Sequence, residues 1–325
     1  MSDMGTSARS VLVTGGAGYI GSRLVARLAA DRGEVETLVS LDLHAVADAE
    51  RLAGVEYATG DIRGPEVADL LKEHAVDTVV HLAAIVTPGP GMSRELLYSI
   101  DVGGTENVAR ACLGAGVRRL IVTSSGAAYG YHADNPVPLS EDDPLRGNPE
   151  FAYSDHKRQV EELLARLRRE HPELEQLIFR PGTILGAGTD NQITALFDRA
   201  FLLGVQGSET PFVFIWDEDV VACLLKGIRG GRAGIYNLAG DGAMTLDEIA
   251  AATGKRRLAL PAWLIRGALG ILQPLGLSQY GPEQVDFLRY RPVLSNARLV
   301  DEFGYTPRRT SREVFELFWR SKSPR

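Results

Sequence analysis

Gly15-Gly16-Ala17-Gly18-Tyr19-Ile20-Gly21 decides the fold of this chain. Ahead of it, Ser10-Val11-Leu12-Val13-Thr14 reads as a buried strand, and after it Ser22 to Ala30 reads as a helix. A strand, a glycine turn and a helix in that order form a dinucleotide cradle. Gly15 permits the tight turn, Gly18 lets backbone approach a pyrophosphate, and Gly21 lets the helix pack on the strand. The phosphates then face the positive end of the helix. Glu36 to Asp42 reads as the next strand, and its last residue is an acid. A carboxylate there accepts hydrogen bonds from the adenosine ribose and repels a 2′-phosphate. No Arg or Lys stands between Asp42 and Arg51, so NAD is favoured over NADP.

Outward from the turn, Val76–Leu82, Arg119–Thr123, Leu177–Phe179 and Gly234–Leu238 read as further strands. They lack polar alternation, which implies a sheet covered on both faces. Their alternation with helical stretches predicts an α/β, doubly wound parallel sheet, the Rossmann fold. Beyond Pro181 the pattern loses regularity. The expected organisation is an NAD-binding domain over 1–180, with 212–240 returning to it, and a smaller interleaved substrate lobe over 181–325.

Tyr153 and Lys157 fall on a helical stretch from Phe151 to about Glu170. A spacing of four puts both on one face. The Lys157 ammonium is expected to lower the Tyr153 phenol by stabilising the phenolate. Such a tyrosine exchanges a proton with an alcohol or ketone oxygen. Thr123-Ser124-Ser125 ends a parallel strand, where ligands of open α/β sheets gather. Ser125 is positioned to bond the substrate oxygen beside Tyr153.

Composition narrows the function classes. The 325 residues are 45% hydrophobic and 24% charged, enough for a large core. A net charge of −7 argues against a nucleic-acid footprint, which needs a basic face, but leaves room for an anionic small-molecule ligand at a local site. Cys112 and Cys223 make neither a disulfide framework nor a metal cluster, and read as buried thiols of a reducing compartment. Met1 to Ser10 has no signal-peptide core. The most apolar stretch, Leu258 to Leu277, is interrupted by Pro261, Arg266, Gln273 and Pro274, so no membrane span is expected. The expected location is the cytoplasm.

Taken in order, the motifs resemble the extended short-chain dehydrogenase/reductase superfamily, in its NAD-dependent epimerase/dehydratase branch. Those carrying the resemblance are Thr14 to Gly21, Gly60-Asp61-Ile62, His81-Leu82-Ala83-Ala84, Thr123 to Gly130, Tyr153 with Lys157, Arg180-Pro181 before Gly186, Asp217 to Val220, and Tyr236 to Gly240. The resemblance implies that Gly15, Gly18, Tyr19, Ile20, Gly21 and Asp42 bind the cofactor. It implies that Asp61 and Ile62 hold the adenine, and that Leu82, Ala83 and Ala84 line the pyrophosphate and nicotinamide ribose. Pro181 would pack at the nicotinamide end. Ser125, Tyr153 and Lys157 would be catalytic, with Lys157 also on the ribose. It further implies hydride transfer between a substrate carbinol carbon and the nicotinamide, a small-molecule substrate and a homodimer.

The chain departs from that pattern in three places. Thr183 stands where sugar-nucleotide enzymes carry Asn two residues after Arg-Pro. Glu209-Thr210-Pro211 stands where they carry an Arg before the strand at Phe212-Val213-Phe214. Asp101 replaces a usual Asn. The first two positions normally hold a substrate diphosphate, a role suited to a bidentate cation. The expected activity is therefore NAD-dependent oxidation or reduction of a sugar-like or apolar hydroxyl compound. Alternatives are sugar-nucleotide 4-epimerisation with tightly bound NAD, and a non-catalytic NAD-binding regulator, which would have no use for Ser125, Tyr153 and Lys157.

Other residues receive plainer readings. Trp263, Leu264, Ile265, Leu269, Ile271 and Leu272 read as core or a dimer contact, ahead of an apolar pocket or a surface-seeking helix in peripheral contact with a membrane. His132 is a candidate substrate contact, and His156 is expected to face solvent. Arg118-Arg119 reads as a solvated turn, and Glu161-Glu162 with Arg166 as a solvated helix face. Asp217, Glu218 and Asp219 read as a helix cap, with no metal site.

Overall fold

The computed structural model describes residues 6–89, 91–273, 275 and 281–322. Eleven strands occur among them: β1 (Ser10–Thr14), β2 (Thr37–Asp42), β3 (Glu56–Thr59), β4 (Thr78–His81), β5 (Arg119–Thr123), β6 (Glu175–Pro181), β7 (Thr183–Leu185), β8 (Phe201–Val205), β9 (Phe214–Trp216), β10 (Gly234–Leu238) and β11 (Arg256–Leu260). The α-helices are α1 (Tyr19–Ala30), α2 (Glu66–Glu73), α3 (Arg94–Tyr98), α4 (Gly104–Ala115), α5 (Ala152–Glu170), α6 (Gln192–Asp198), α7 (Asp217–Ile228), α8 (Leu246–Thr253), α9 (Ala262–Leu272), α10 (Gln284–Arg289), α11 (Ala297–Asp301) and α12 (Ser311–Lys322). A π-helical turn, Ser99–Gly103, joins α3 to α4.

Seven strands form one parallel sheet in the order β10-β6-β5-β4-β1-β2-β3. This is the expected doubly wound fold. Successive residues of β1 explain its two covered faces: Val11 and Val13 enter one apolar cluster, Leu12 the other. The first cluster is closed by Leu24, Val25 and Leu28 of α1 and by Val220, Val221 and Leu224 of α7. The second is closed by Val67 and Leu71 of α2, Val108 and Cys112 of α4, and Val160, Leu164 and Leu167 of α5. Two small parallel pairs, β7 with β9 and β8 with β11, lie outside this sheet. A third cluster joins Phe197, Phe212, Phe214, Phe315 and Phe318.

Several sequence readings are corrected here. Helix α1 begins at Tyr19, not Ser22, because Gly18 already occupies the N-cap, and the Ser22 N–H bonds its carbonyl at 2.9 Å. Arg119 is not solvated. It is buried and donates to the Gly227 and Gly231 carbonyls at 2.6 and 2.8 Å, filling the acceptors left open where α7 ends. Glu161 is also buried, because Arg180 and Ser124 meet it there. The 258–277 stretch forms β11 and α9. Ile265 is the buried residue of α9, while Trp263, Leu264, Ile271 and Leu272 are exposed. Residues 274, 276 and 277 of that stretch, and 1–5 of the N-terminus, lie outside the described residues. Among the described residues no helix is long and apolar enough to cross a membrane.

Candidate active site

At the carboxyl ends of the sheet, a cavity of about 660 Å³ is lined by residues from the glycine turn and from α5. Gly15, Gly18, Tyr19, Ile20 and Gly21 form one wall; Ser125, Tyr153 and Lys157 form another; Leu82, Ala84 and Pro181 lie between. The structure thus brings together most of the residues singled out in the sequence. Asp42, Asp61, Ile62 and Ala83 lie outside the cavity lining.

The turn is built for close backbone approach. Gly15 has φ +71°, and a Cβ there would come within 2.7 Å of the Ala83 nitrogen. A Cβ on Gly21 would overlap the Gly15 carbonyl oxygen. Gly18 caps α1 without a side-chain hydrogen bond, so the first N–H groups stay free for an anion. Asp42 reaches back to the same turn, accepting from the Ala17 N–H at 3.0 Å and the His44 N–H at 3.0 Å. These features fit a dinucleotide, its pyrophosphate on the turn and its ribose at Asp42. Asp61 is engaged by Arg63 through several N–H donors, which holds its carboxyl below the usual range. Ile62 is buried, and its carbonyl accepts from Asn107 at 2.7 Å.

Ser125 caps the turn after β5, its Oγ accepting from the Ala127 N–H at 3.1 Å. Ser125 and Tyr153 both line the cavity. Lys157 Nζ donates to the Thr123 carbonyl at 3.3 Å and lies 5.8 Å from the Tyr153 ring centre. Burial pushes Tyr153 up to about 12; Ser125 opposes this and the Asp101 charge adds to it. The expected lowering by Lys157 is not found in this geometry: burial dominates, and the ammonium is turned to the Thr123 carbonyl. Burial also lowers Lys157, against the pull of Asp101 and Glu161.

His156 does not face solvent. It is buried, with Nδ1 3.4 Å from Asp101 Oδ2, because α3 and the π-helical turn cover that side of α5. His132 Nε2 bonds the Gly147 carbonyl at 2.7 Å and does not line the cavity. The three acids opening α7 each have partners: Asp217 has Tyr19 and Arg23, Glu218 has Arg27, and Asp219 has Tyr305 and Arg308. Among the described residues no group of three His, Cys, Asp or Glu is arranged to hold a metal ion.

Sequence reasoning missed the far wall, formed by Tyr131, Phe151, Phe287, Arg291, Pro292 and Leu294. The Arg291 guanidinium sits 4.2 Å from the Phe212 ring centre and 4.7 Å from that of Phe287. Its buried Nη1 has no hydrogen-bond partner. The available signal was an Arg-Pro step two residues after a short helix, but only the tertiary fold reveals that it meets the cavity.

Comparison with known proteins places the chain. Residues 11–239 match the family model described as NAD dependent epimerase/dehydratase family. An uncharacterized protein of Mycobacterium tuberculosis is 25% identical, with 96% of this chain and 84% of that protein covered. The UDP-glucose 4-epimerase of Azospirillum brasilense is 31% identical, with 85% and 89% covered. Among solved structures, the UDP-glucose 4-epimerase of Thermus thermophilus in complex with NAD superposes with a TM-score of 0.72 at 25% identity, covering 96% of this chain and 98% of that one. That of Thermotoga maritima with UDP-glucose reaches 0.74 at 18% identity, covering 96% and 98%. This chain is an NAD-dependent enzyme and belongs to the NAD-dependent epimerase/dehydratase family.

Proposed function

We propose that the protein interconverts a secondary alcohol and its ketone on a sugar-like or apolar hydroxyl compound. The carrying observation is the convergence of Ser125, Tyr153 and Lys157 in one cavity with Gly15, Gly18 and Gly21 of the glycine turn. NAD supplies the hydride acceptor or donor when bound. The backbone of Gly15, Gly18, Tyr19, Ile20 and Gly21 holds its pyrophosphate, and Asp42 its adenosine ribose. Asp61 and Ile62 flank the adenine, while Leu82, Ala83, Ala84 and Pro181 line the path to the nicotinamide.

The chain's own residues handle the proton. Ser125 orients the substrate oxygen through its hydroxyl. Tyr153 exchanges the proton at its Oη with that oxygen, as a positioned general acid or base does. Lys157 supplies positive charge beside the phenol and a donor to the nicotinamide ribose. Tyr153→Phe is expected to abolish turnover while NAD still binds; full turnover by this variant ends the reading.

A second reading is sugar-nucleotide 4-epimerisation with NAD retained. It is favoured by the unpaired guanidinium of Arg291, which suits an anionic group on the substrate and compensates for the absent Arg before Phe212. The names of similar proteins point the same way. Nicotinamide absorbance separates the two: net redox changes it, whereas epimerisation with retained NAD leaves it constant over many turnovers. The reading includes a cytoplasmic location and a homodimer, the latter checked by light scattering.

A further inference from the structure

Tyr19 opens α1 directly after the Gly18 cap and is 39% exposed. Its phenol donates to Asp217 Oδ2 at 2.7 Å and is hydrogen bonded to Thr189 Oγ1 at 2.8 Å. The Arg23 guanidinium lies 4.8 Å from the ring centre and 3.3 Å from the Asp217 carboxylate. One side chain thus ties three segments that are far apart in the chain: the start of α1, the start of α7 and the loop over residues 186–191. Asp217 and Thr189 are both buried, so the phenol meets its partners out of water. Its bond to the carboxylate is of the stronger, charge-assisted kind.

The loop is shaped for this contact. It leads from β7 to α6. The Gly186 N–H donates to Thr189 Oγ1 at 2.7 Å, and the Thr189 N–H donates to the Gly186 carbonyl at 3.2 Å, closing a tight turn. Gly188 supplies the φ of +79° inside it. A Cβ on Gly186 would overlap the Asp217 carboxylate, so a glycine lets the turn lie directly on that acid. The far end is fixed by Asn191, which caps α6 reciprocally with Thr194.

Gly188, Thr189, Asp190 and Asn191 line the same cavity as Gly18 and Tyr19. The cradle and the loop are two sides of one chamber, and the Tyr19–Thr189 bond joins them. We propose that Tyr19, Thr189 and Asp217 form a clasp that holds the 186–191 loop beside the bound dinucleotide and sets how slowly NAD leaves. The inference rests on the pyrophosphate lying at the Gly15–Gly21 turn, and on no particular substrate. Release requires the phenol to let go of Thr189. A cofactor kept this way is reduced and reoxidised within one site, which suits a hydride that is taken and then returned.

The test is the rate of NADH release from the loaded full chain, read as the loss of bound-NADH fluorescence after dilution into excess NAD. Tyr19→Phe keeps the ring beside Arg23 and removes both hydrogen bonds. Its release rate is expected to rise at least about tenfold, the scale of one hydrogen bond to a charged group, with association unchanged. Thr189→Val is expected to speed release as well, whereas Thr189→Ser, which retains the hydroxyl, keeps the slow rate. An unmoved release rate in Tyr19→Phe overturns the proposal; if that variant does not fold, an unmoved rate in Thr189→Val does so. Slower association with unchanged release also overturns it, because the phenol would then shape the cradle rather than keep it shut. Normal NAD binding by Gly21→Ala removes the cradle on which the clasp acts. Loss of binding in Gly21→Ala together with unmoved release in Tyr19→Phe removes the clasp alone.

Discussion

Arg180 grips Glu161 through two nitrogens, Nε reaching Oε1 at 2.9 Å and Nη2 reaching Oε2 at 2.7 Å, with both side chains buried. The pair ties α5 to β6. Its remaining valences extend the tie: Ser124 Oγ donates to Glu161 Oε1 at 2.6 Å, and Arg180 Nη1 donates to Tyr129 Oη at 2.7 Å. The helix carrying Tyr153 and Lys157 is thereby fixed against the strand end carrying Ser125. Removing one member strands a buried charge, which costs about 3–5 kcal/mol. Arg180→Met should lose about that much in urea unfolding. Adding Glu161→Leu should recover part of it, because the orphaned carboxylate is then gone.

Gly21→Ala tests the cofactor cradle. The added Cβ would overlap the Gly15 carbonyl oxygen, so α1 must move away from the turn. NAD binding, followed by calorimetry, is expected to be lost. A variant that binds NAD like the parent would show that the turn does not hold the pyrophosphate.

His81 gives the fold a pH signature. Burial is the main cause that lowers it to about 3, with Lys157 adding to the effect. The unfolded chain takes up this proton near pH 6.5 and the folded one only near 3, so the unfolded state binds more protons between those values. Its contribution is thus present above about pH 6.5 and is lost as pH falls toward 3. The slope is at most about 1.4 kcal/mol per pH unit for this one group. Denaturant melts from pH 7 to pH 5 should show stability falling. A His81→Gln variant should show a shallower fall.

Arg291 separates substrate from cofactor. Arg291→Met leaves an apolar side chain beside Phe212 and Phe287 but removes the guanidinium that lies over both rings. For an anionic substrate, KM should rise at least about tenfold, the scale of one charged hydrogen bond, with NAD affinity unchanged. An unchanged KM would assign the guanidinium to packing alone.

The sequence revealed what is local. The glycine turn, the β-branched strands and the Tyr153–Lys157 spacing each reflect geometry within a few residues, and the sheet followed from them. Side chains whose surroundings come from elsewhere were misread. His156 lies off the face of α5 that carries Tyr153 and Lys157, yet the π-helical turn buries it. Glu161 and Arg119 look like surface charges until β6 and the end of α7 are packed beside them. Arg291 enters the cavity across more than a hundred residues of chain from Tyr153, and no periodicity encodes that.

The region matched by the family model does not by itself contain all of the packing around the cavity. A ribosome completes residues 11–239, the whole of the family match, before Phe287, Arg291, Ser311, Phe315 and Phe318 exist. Until then Phe197, Phe212 and Phe214 lack the rings that cover them, the cavity lacks a wall, and the Phe214 and Gly240 carbonyls lack the Ser311 hydroxyl. Residues from the last part of the described chain thus cover one flank of the core and supply part of the cavity lining.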